Sequence, residues 1–209
     1  HLLARTGFGP PDAEIRVYGN LTREAAVAKL LHETHAIALT APPASAVETT
    51  PLRPPRGENA SEAEKKAFVQ EQARAGLALR AWWIQEMLIT PSPLTERMTL
   101  FWHNHFVSGQ PKVRVSRLMY RQNVTLRANA VGNFGTLLHA IAKDPAMLVY
   151  LDSAQNRKGA PNENFAREVM ELFTLGEGHY TEQDIKEAAR AFTGWSLDRD
   201  TGQFTFRPR

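Results

Sequence analysis

Two clusters of polar side chains sit inside apolar sequence: Phe101-Trp102-His103-Asn104-His105-Phe106 and Asn162-Glu163-Asn164-Phe165-Ala166-Arg167-Glu168-Val169-Met170-Glu171-Leu172-Phe173. Imidazoles, amides and carboxylates are costly to bury among large apolar groups unless they are paired or hold something. His103 and His105 offer proton transfer or metal ligation, and Glu168 and Glu171 offer acid/base work or carboxylate ligation of a divalent metal ion. Residues two apart on a helix are rotated by about 200°, so His103 and His105 reach one metal only if the helix ends near Phe106. The simplest functional arrangement has one His facing a polar cavity and the other structural. The simplest structural one has both bonded to backbone carbonyls.

The second cluster reads as a helix capped by Asn162. At about 100° per residue, Phe165, Val169, Leu172 and Phe173 form an apolar arc. Glu163, Arg167 and Glu171 form a stripe of the kind that is usually a solvated ion-pair ladder. Asn164 and Glu168 border the apolar arc and read as the buried pair. Glu168 and Glu171 also have the i, i+3 spacing of carboxylate metal sites in helical bundles, although the Glu-x-x-His partner of such sites is missing. Arg121, Gln122 and Asn123 lie in an apolar helix with Leu118, Met119, Val124 and Leu126, so at least one of them is expected to be buried. Arg121 paired with Glu168 would be a structural network, or an anion clamp beside an acid/base Glu168. Asp152, Arg157 and Lys158 are further groups able to converge there. Lys112, Arg114, Arg117, Arg121, Arg127, Arg157 and Lys158 read as a solvated face, with an anion-binding surface as the alternative. Trp82, Trp83, Trp102 and Trp195 read as core, and an exposed Trp would stack on a sugar ring.

These groups need helices to position them. Pro11-Asp12-Ala13-Glu14 starts a short helix, and another runs from about Thr22 to His32. Residues 40–60 carry Pro42, Pro43, Pro51, Pro54 and Pro55 with little to pack, and read as a linker or extended loop. Ser61-Glu62-Ala63-Glu64 is a capping box that opens a long helix to about Ile89. Thr90-Pro91-Ser92-Pro93 breaks it, and Ser92 with Pro93 is expected to cap the helix that carries the histidines. Residues 108–115 read as a basic loop, followed by helices over 117–130, 134–142 and 146–151, the last capped at Asp144-Pro145. Residues 153–161 read as a polar loop, and Thr181-Glu182-Gln183-Asp184 caps a last helix. Gln203-Phe204-Thr205-Phe206 after Asp200-Thr201-Gly202 reads as a strand or hairpin.

The chain has 209 residues, 43% of them hydrophobic and 22% charged, which is ordinary for a globular protein with a sizeable core. A net charge of +3 from 25 basic and 22 acidic residues is too balanced to argue for nucleic acid. Without cysteine there are no disulfides, thiolate metal sites or cysteine nucleophiles. No apolar run of about 18 residues offers a transmembrane span. The start at His1, without Met, reads as a processed or trimmed product. Nucleophile elbows, phosphate-binding Gly-rich loops, His-Glu-x-x-His and dinucleotide fingerprints are all missing.

The segments His1 to Pro10, Trp82 to Leu88, Pro93 to Phe106, Arg117 to Phe134 and Asp144 to Trp195 resemble the bacterial domain-of-unknown-function 1800 family. The resemblance implies an exported bacterial protein, often encoded beside a second exported protein that is a candidate partner, and no established activity. It also implies longer relatives that continue with further helices past the point corresponding to Arg209.

Together these readings give a mostly α, multi-helix bundle with a Pro-rich linker near the N-terminus and a small C-terminal β-hairpin. An N-terminal helical segment (1–39) and the linker (40–60) precede a helical core (61–209). The expected site is a polar cleft built from His103, His105, Arg121 and Glu168, with His103, His105, Glu168 and Glu171 as metal ligands if a divalent metal is used. Metal-assisted or acid/base hydrolysis is the expected chemistry. A cell-envelope scaffold or interaction module, including polysaccharide binding, is the alternative.

Overall fold

Local side-chain caps place several of the helix starts. In the computed structural model, which describes residues 1–48, 51–55, 61–198 and 200–208, three short helices come first: α1 (Leu2–Thr6), α2 (Asp12–Gly19) and α3 (Arg23–His32), with Thr22 Oγ1 accepting from Ala25 N. A single helical turn, α4 (Ala44–Val47), precedes the longest helix, α5 (Glu62–Ile89), whose start is the Ser61–Glu64 capping box. Then come α6 (Pro93–His105), α7 (Gln110–Val113), α8 (Ser116–Ala128), α9 (Phe134–Ala142) and α10 (Pro145–Tyr150). Asp144 caps α10 through Met147 N, as its place before Pro145 predicts. A 3-10 turn over Ser153–Gln155 leads to α11 (Asn164–Glu168), which continues as a π-helical stretch over Val169–Thr174. Next is α12 (Glu182–Ala191), opened by a Thr181–Asp184 capping box. The antiparallel strands β1 (Trp195–Leu197) and β2 (Phe204–Phe206) close the chain, with Trp195 opposite Phe206 and Leu197 opposite Phe204.

The helix α8 is the pivot of the packing. Its first half contributes Leu118 and Met119 to one core cluster, with Ala46, Leu79, Trp82 and Val115. Its second half contributes Leu126 to another, with Phe106, Leu137, Ile141, Met147, Phe165 and Phe173. A smaller cluster of Ala166, Ile185 and Ala189 seats α12 on α11.

Several local expectations change. Ser92 makes no capping bond to α6; its hydroxyl pairs with Thr95 Oγ1 at 2.7 Å. The basic loop over 108–115 contains the short helix α7. Of the Pro-rich stretch, residues 49–50 and 56–60 lie outside the described residues. The described part packs: Ala46 is fully buried and Leu52 lies against the first core cluster. The buried Glu86 carboxylate accepts from Leu39 N and from the amide and hydroxyl of Thr40, which ties the start of this stretch to α5.

Candidate functional site

His103 and His105 leave α6 in different directions, as their spacing predicts. His105 lies among the rings of Phe101, Trp102, Phe106, Phe134 and Phe173, and its Nε2 is 3.1 Å from the Phe173 carbonyl oxygen. His103 is half-buried against the Trp83 ring, 5.3 Å between centroids. Burial holds its imidazole below the ordinary value and so favours the neutral form.

The carboxylates of the second cluster also separate. Arg167 joins Glu163 (3.3 Å) and takes Glu182 with both terminal nitrogens (2.8 and 2.9 Å), so the ion-pair ladder runs from Glu163 through Arg167 to α12 and leaves out Glu171. Glu171 accepts from the Tyr180 hydroxyl at 2.9 Å. Glu168 is half-buried and makes no hydrogen bond or ion pair among the described residues. Burial, and then the charge of Glu171, push its carboxyl up. The expected burial of Asn164 and Leu172 is not seen; both are exposed. The apolar arc assumed a regular α-helix, whereas the π-helical turn after Glu168 shifts the angular phase and leaves Phe173 inside. Asn162 does accept from Asn164 N (3.0 Å), two residues ahead of the helix.

Arg121 does not pair with Glu168. Its Nη1 donates to the carbonyl oxygens of Thr201 (3.2 Å) and Gly202 (3.0 Å), holding the hairpin turn against α8. Among the described residues, no group of three or more His, Asp or Glu side chains comes together in a way that could hold a metal ion. The His103, His105, Glu168 and Glu171 set is therefore not assembled.

Two arginines of α8 are buried, Arg117 and Arg127, and Arg127 is the paired one. Its Nε and Nη2 take Glu96 at 2.6 and 3.0 Å, and its Nη1 donates to Asn123 Oδ1 at 2.7 Å. Trp83 Nε1 donates to the same Glu96 at 2.8 Å, and the guanidinium lies 5.5 Å from the Trp82 ring centre. The Glu96 carboxylate is fully engaged in this buried network, which is the mark of a structural element, while the Asn123 amide nitrogen is buried without a hydrogen-bond partner among the described residues. A second buried network joins Ser108 to Gln122 and Gln122 to Asp144 (2.9 Å). Trp82, Trp83 and Trp102 have bonded ring nitrogens, as core tryptophans should, and none of the four tryptophans is exposed.

A cleft of about 970 Å³ lies elsewhere. Val113, Leu118 and Leu148 give it an apolar floor, and Arg157, Lys158 and Arg207 bring cationic groups to its wall. Asp152 also lines it, but is engaged by Lys112 (2.7 Å) and Gln155 (3.4 Å). Neither Arg157 nor Lys158 has a side-chain hydrogen bond or ion pair among the described residues.

Backbone geometry marks the same place. The two described non-glycine residues with positive φ are Asp152 (58°), in the cleft wall, and Arg114 (63°), between the lining residues Val113 and Val115. Such conformations cost of order 1–3 kcal/mol and cluster at functional sites. Gly194, with φ of 87°, also lines the cleft; a Cβ there would stand 2.6 Å from the Arg207 carbonyl oxygen. Its amide donates to Asn156 O (3.3 Å) and its carbonyl accepts from Arg207 N (2.8 Å), which joins the polar loop to the hairpin. The buried Asn156 fixes that loop in turn, donating to Ala189 O (2.8 Å) and accepting from Asn162 N (2.9 Å).

Sequence reasoning flagged Asp152, Arg157 and Lys158 but sent them toward Glu168. The contributions of Leu52, Gly194, Trp195 and Arg207 come from long-range packing that no local signal announces. Arg127 did leave a signal: Met119, Asn123 and Arg127 are spaced by four and share one face of α8.

A model of the family described as "Protein of unknown function (DUF1800)" matches residues 1–209. No curated protein and no solved structure matches the chain.

Proposed function

We propose, from the premise that this chain belongs to the DUF1800 family, that it is an exported domain that binds an anionic ligand with a flat apolar face in the Arg157–Lys158 cleft. The observation that carries this reading is the pairing of an apolar floor with two cations, Arg157 and Lys158, that no side chain neutralises among the described residues. Asp152, the acidic residue of the lining, is already balanced by Lys112, so the wall stays net positive. The directly paired Trp195 and Phe206 offer a stacking surface for rings, whether of an aromatic acid or of an acidic sugar. Export and a co-encoded partner enter this reading from the family resemblance.

The test uses anilinonaphthalene sulfonate as an anionic aromatic probe, followed by fluorescence on protein whose fold is checked by circular dichroism. The Arg157→Ala/Lys158→Ala variant should bind it about tenfold or more weakly, and added salt should weaken wild-type binding. Unchanged affinity in that variant would sink the reading.

A second reading keeps acid/base hydrolysis at Glu168. It is favoured by a half-buried carboxylate that has no partner among the described residues and is pushed up by burial. Turnover of chromogenic esters or glycosides by the wild type, lost in a well-folded Glu168→Gln, would support it. A wild type inactive on all of them removes it.

A further inference from the structure

One buried cation has no counter-charge among the described residues. Arg117, the second residue of α8, is 3% exposed, and its Nε and Nη2 have no hydrogen-bond partner. Arg127, on the same helix, shows what that edge of a guanidinium does when satisfied: its Nε and Nη2 grip the two oxygens of Glu96. In Arg117 the same pair of donors is empty.

A covered guanidinium without a counter-charge is among the most costly arrangements a fold can hold. Two further features make it costlier. Arg121 lies one turn along the helix, and burial followed by the charge of Arg121 push the Arg117 pKa down. The start of α8, a helix of 13 residues, has no acidic residue in its first turn and only the neutral Gln72 Oε1 accepting from Ser116 N, so its dipole adds positive potential at the same end. Arginine does not shed its proton to escape such a setting. Relief must come from an anion.

We propose that Arg117, backed by Arg121 and the start of α8, holds an oxyanion, a carboxylate or phosphate group gripped through the Nε–Nη2 edge. A planar or tetrahedral oxyanion matches that edge with two parallel hydrogen bonds, which chloride cannot do. Arg121 already gives Nη1 to the hairpin turn, so it supplies charge and holds the neighbouring backbone while Arg117 makes the grip. The next residue, Leu118, lines the cleft, while Arg117 is not part of that lining. The anion site does not depend on how the cleft is read, since it uses neither Arg157 nor Lys158.

The experiment is thermal unfolding and calorimetric titration of the wild type and Arg117→Met with sodium phosphate, sulfate and acetate, against sodium chloride at equal ionic strength. The wild type should show a saturable rise in melting temperature with an oxyanion. The comparison of phosphate with acetate tells which head group fits. Arg117→Met should lose that affinity by about tenfold or more and should melt higher than wild type in chloride, because a buried unpaired charge has gone. A wild type that behaves alike in all four salts overturns the proposal. So does Arg117→Met with an undiminished oxyanion response, which would mean binding at the surface. Should Arg117→Met not fold, Arg117→Lys keeps the charge without the fork and must still weaken the response.

Discussion

Burial pushes the Asp144 carboxyl up from 3.8 to about 7, against the hydrogen bonds from Met147 N and Gln122 that favour its charged form. The consequence for stability has a definite sign. Below the unfolded value both states hold the proton and the contribution is fully present. As pH climbs toward about 7 the unfolded chain loses its proton first, so stability falls, and above that the loss is complete. Asp144→Asn keeps an oxygen for both donors and does not titrate. Its unfolding free energy should gain on wild type by a few kcal/mol between pH 4 and pH 8 in urea titrations. Parallel pH curves would refute the assignment. A second contrast concerns Glu96 and Arg127. Arg127→Met strands a buried carboxylate and should cost about 3–5 kcal/mol. The double change Glu96→Met/Arg127→Met should cost less than the single one, checked by a double-mutant cycle. The polar middle of α8 was legible at this scale: Gln122 and Asn123 are buried as their apolar neighbours require. Arg127 was not, because a basic residue is read as solvated until its partner, 31 positions away on another helix, is known.

Among the elements, those defined by neighbours in sequence are the ones the sequence discloses. The Ser61 and Thr181 capping boxes, the Asp144-Pro145 start and the α9 limits, Phe134–Ala142, depend on side chains three or four residues apart. The strand β1 pairs with β2 across a turn and is only three residues long, Trp195-Ser196-Leu197, too short for its alternation to stand out from the end of the preceding helix. The π-helical turn was hidden as well, since its widening is set by the packing of Phe173 rather than by any local residue preference. Gly194 shows how an element junction can be tested. Gly194→Ala would collide with the Arg207 carbonyl oxygen in a conformation that side chains disfavour. A loss of about 1–3 kcal/mol is expected, together with weaker probe binding in the cleft. A melting temperature equal to wild type would show that the junction relaxes freely.

Across the whole molecule, the cleft collects residues from Leu52 to Pro208, joined by packing on α8 and by the hairpin. That is why the fold class could be read from periodicity while the site could not. Helices announce themselves locally, but a cavity is a property of how distant segments meet. The two polar clusters divide between an aromatic cage, an ion-pair ladder and a Glu168 that has no partner among the described residues. Among the described residues, no helix is long and apolar enough to cross a membrane.

The hairpin has three facing residue pairs, too few to persist alone in water. What keeps it in place is the grip of Arg121 on the turn and the bridge through Gly194. In the time domain this makes the amide protons of Gly194 and Arg207 a clock for the cleft. They should exchange with deuterium together, faster than those of α8, and slow together when an anionic probe spans Lys158 and Arg207. Exchange that ignores the probe would place the bound molecule away from the hairpin.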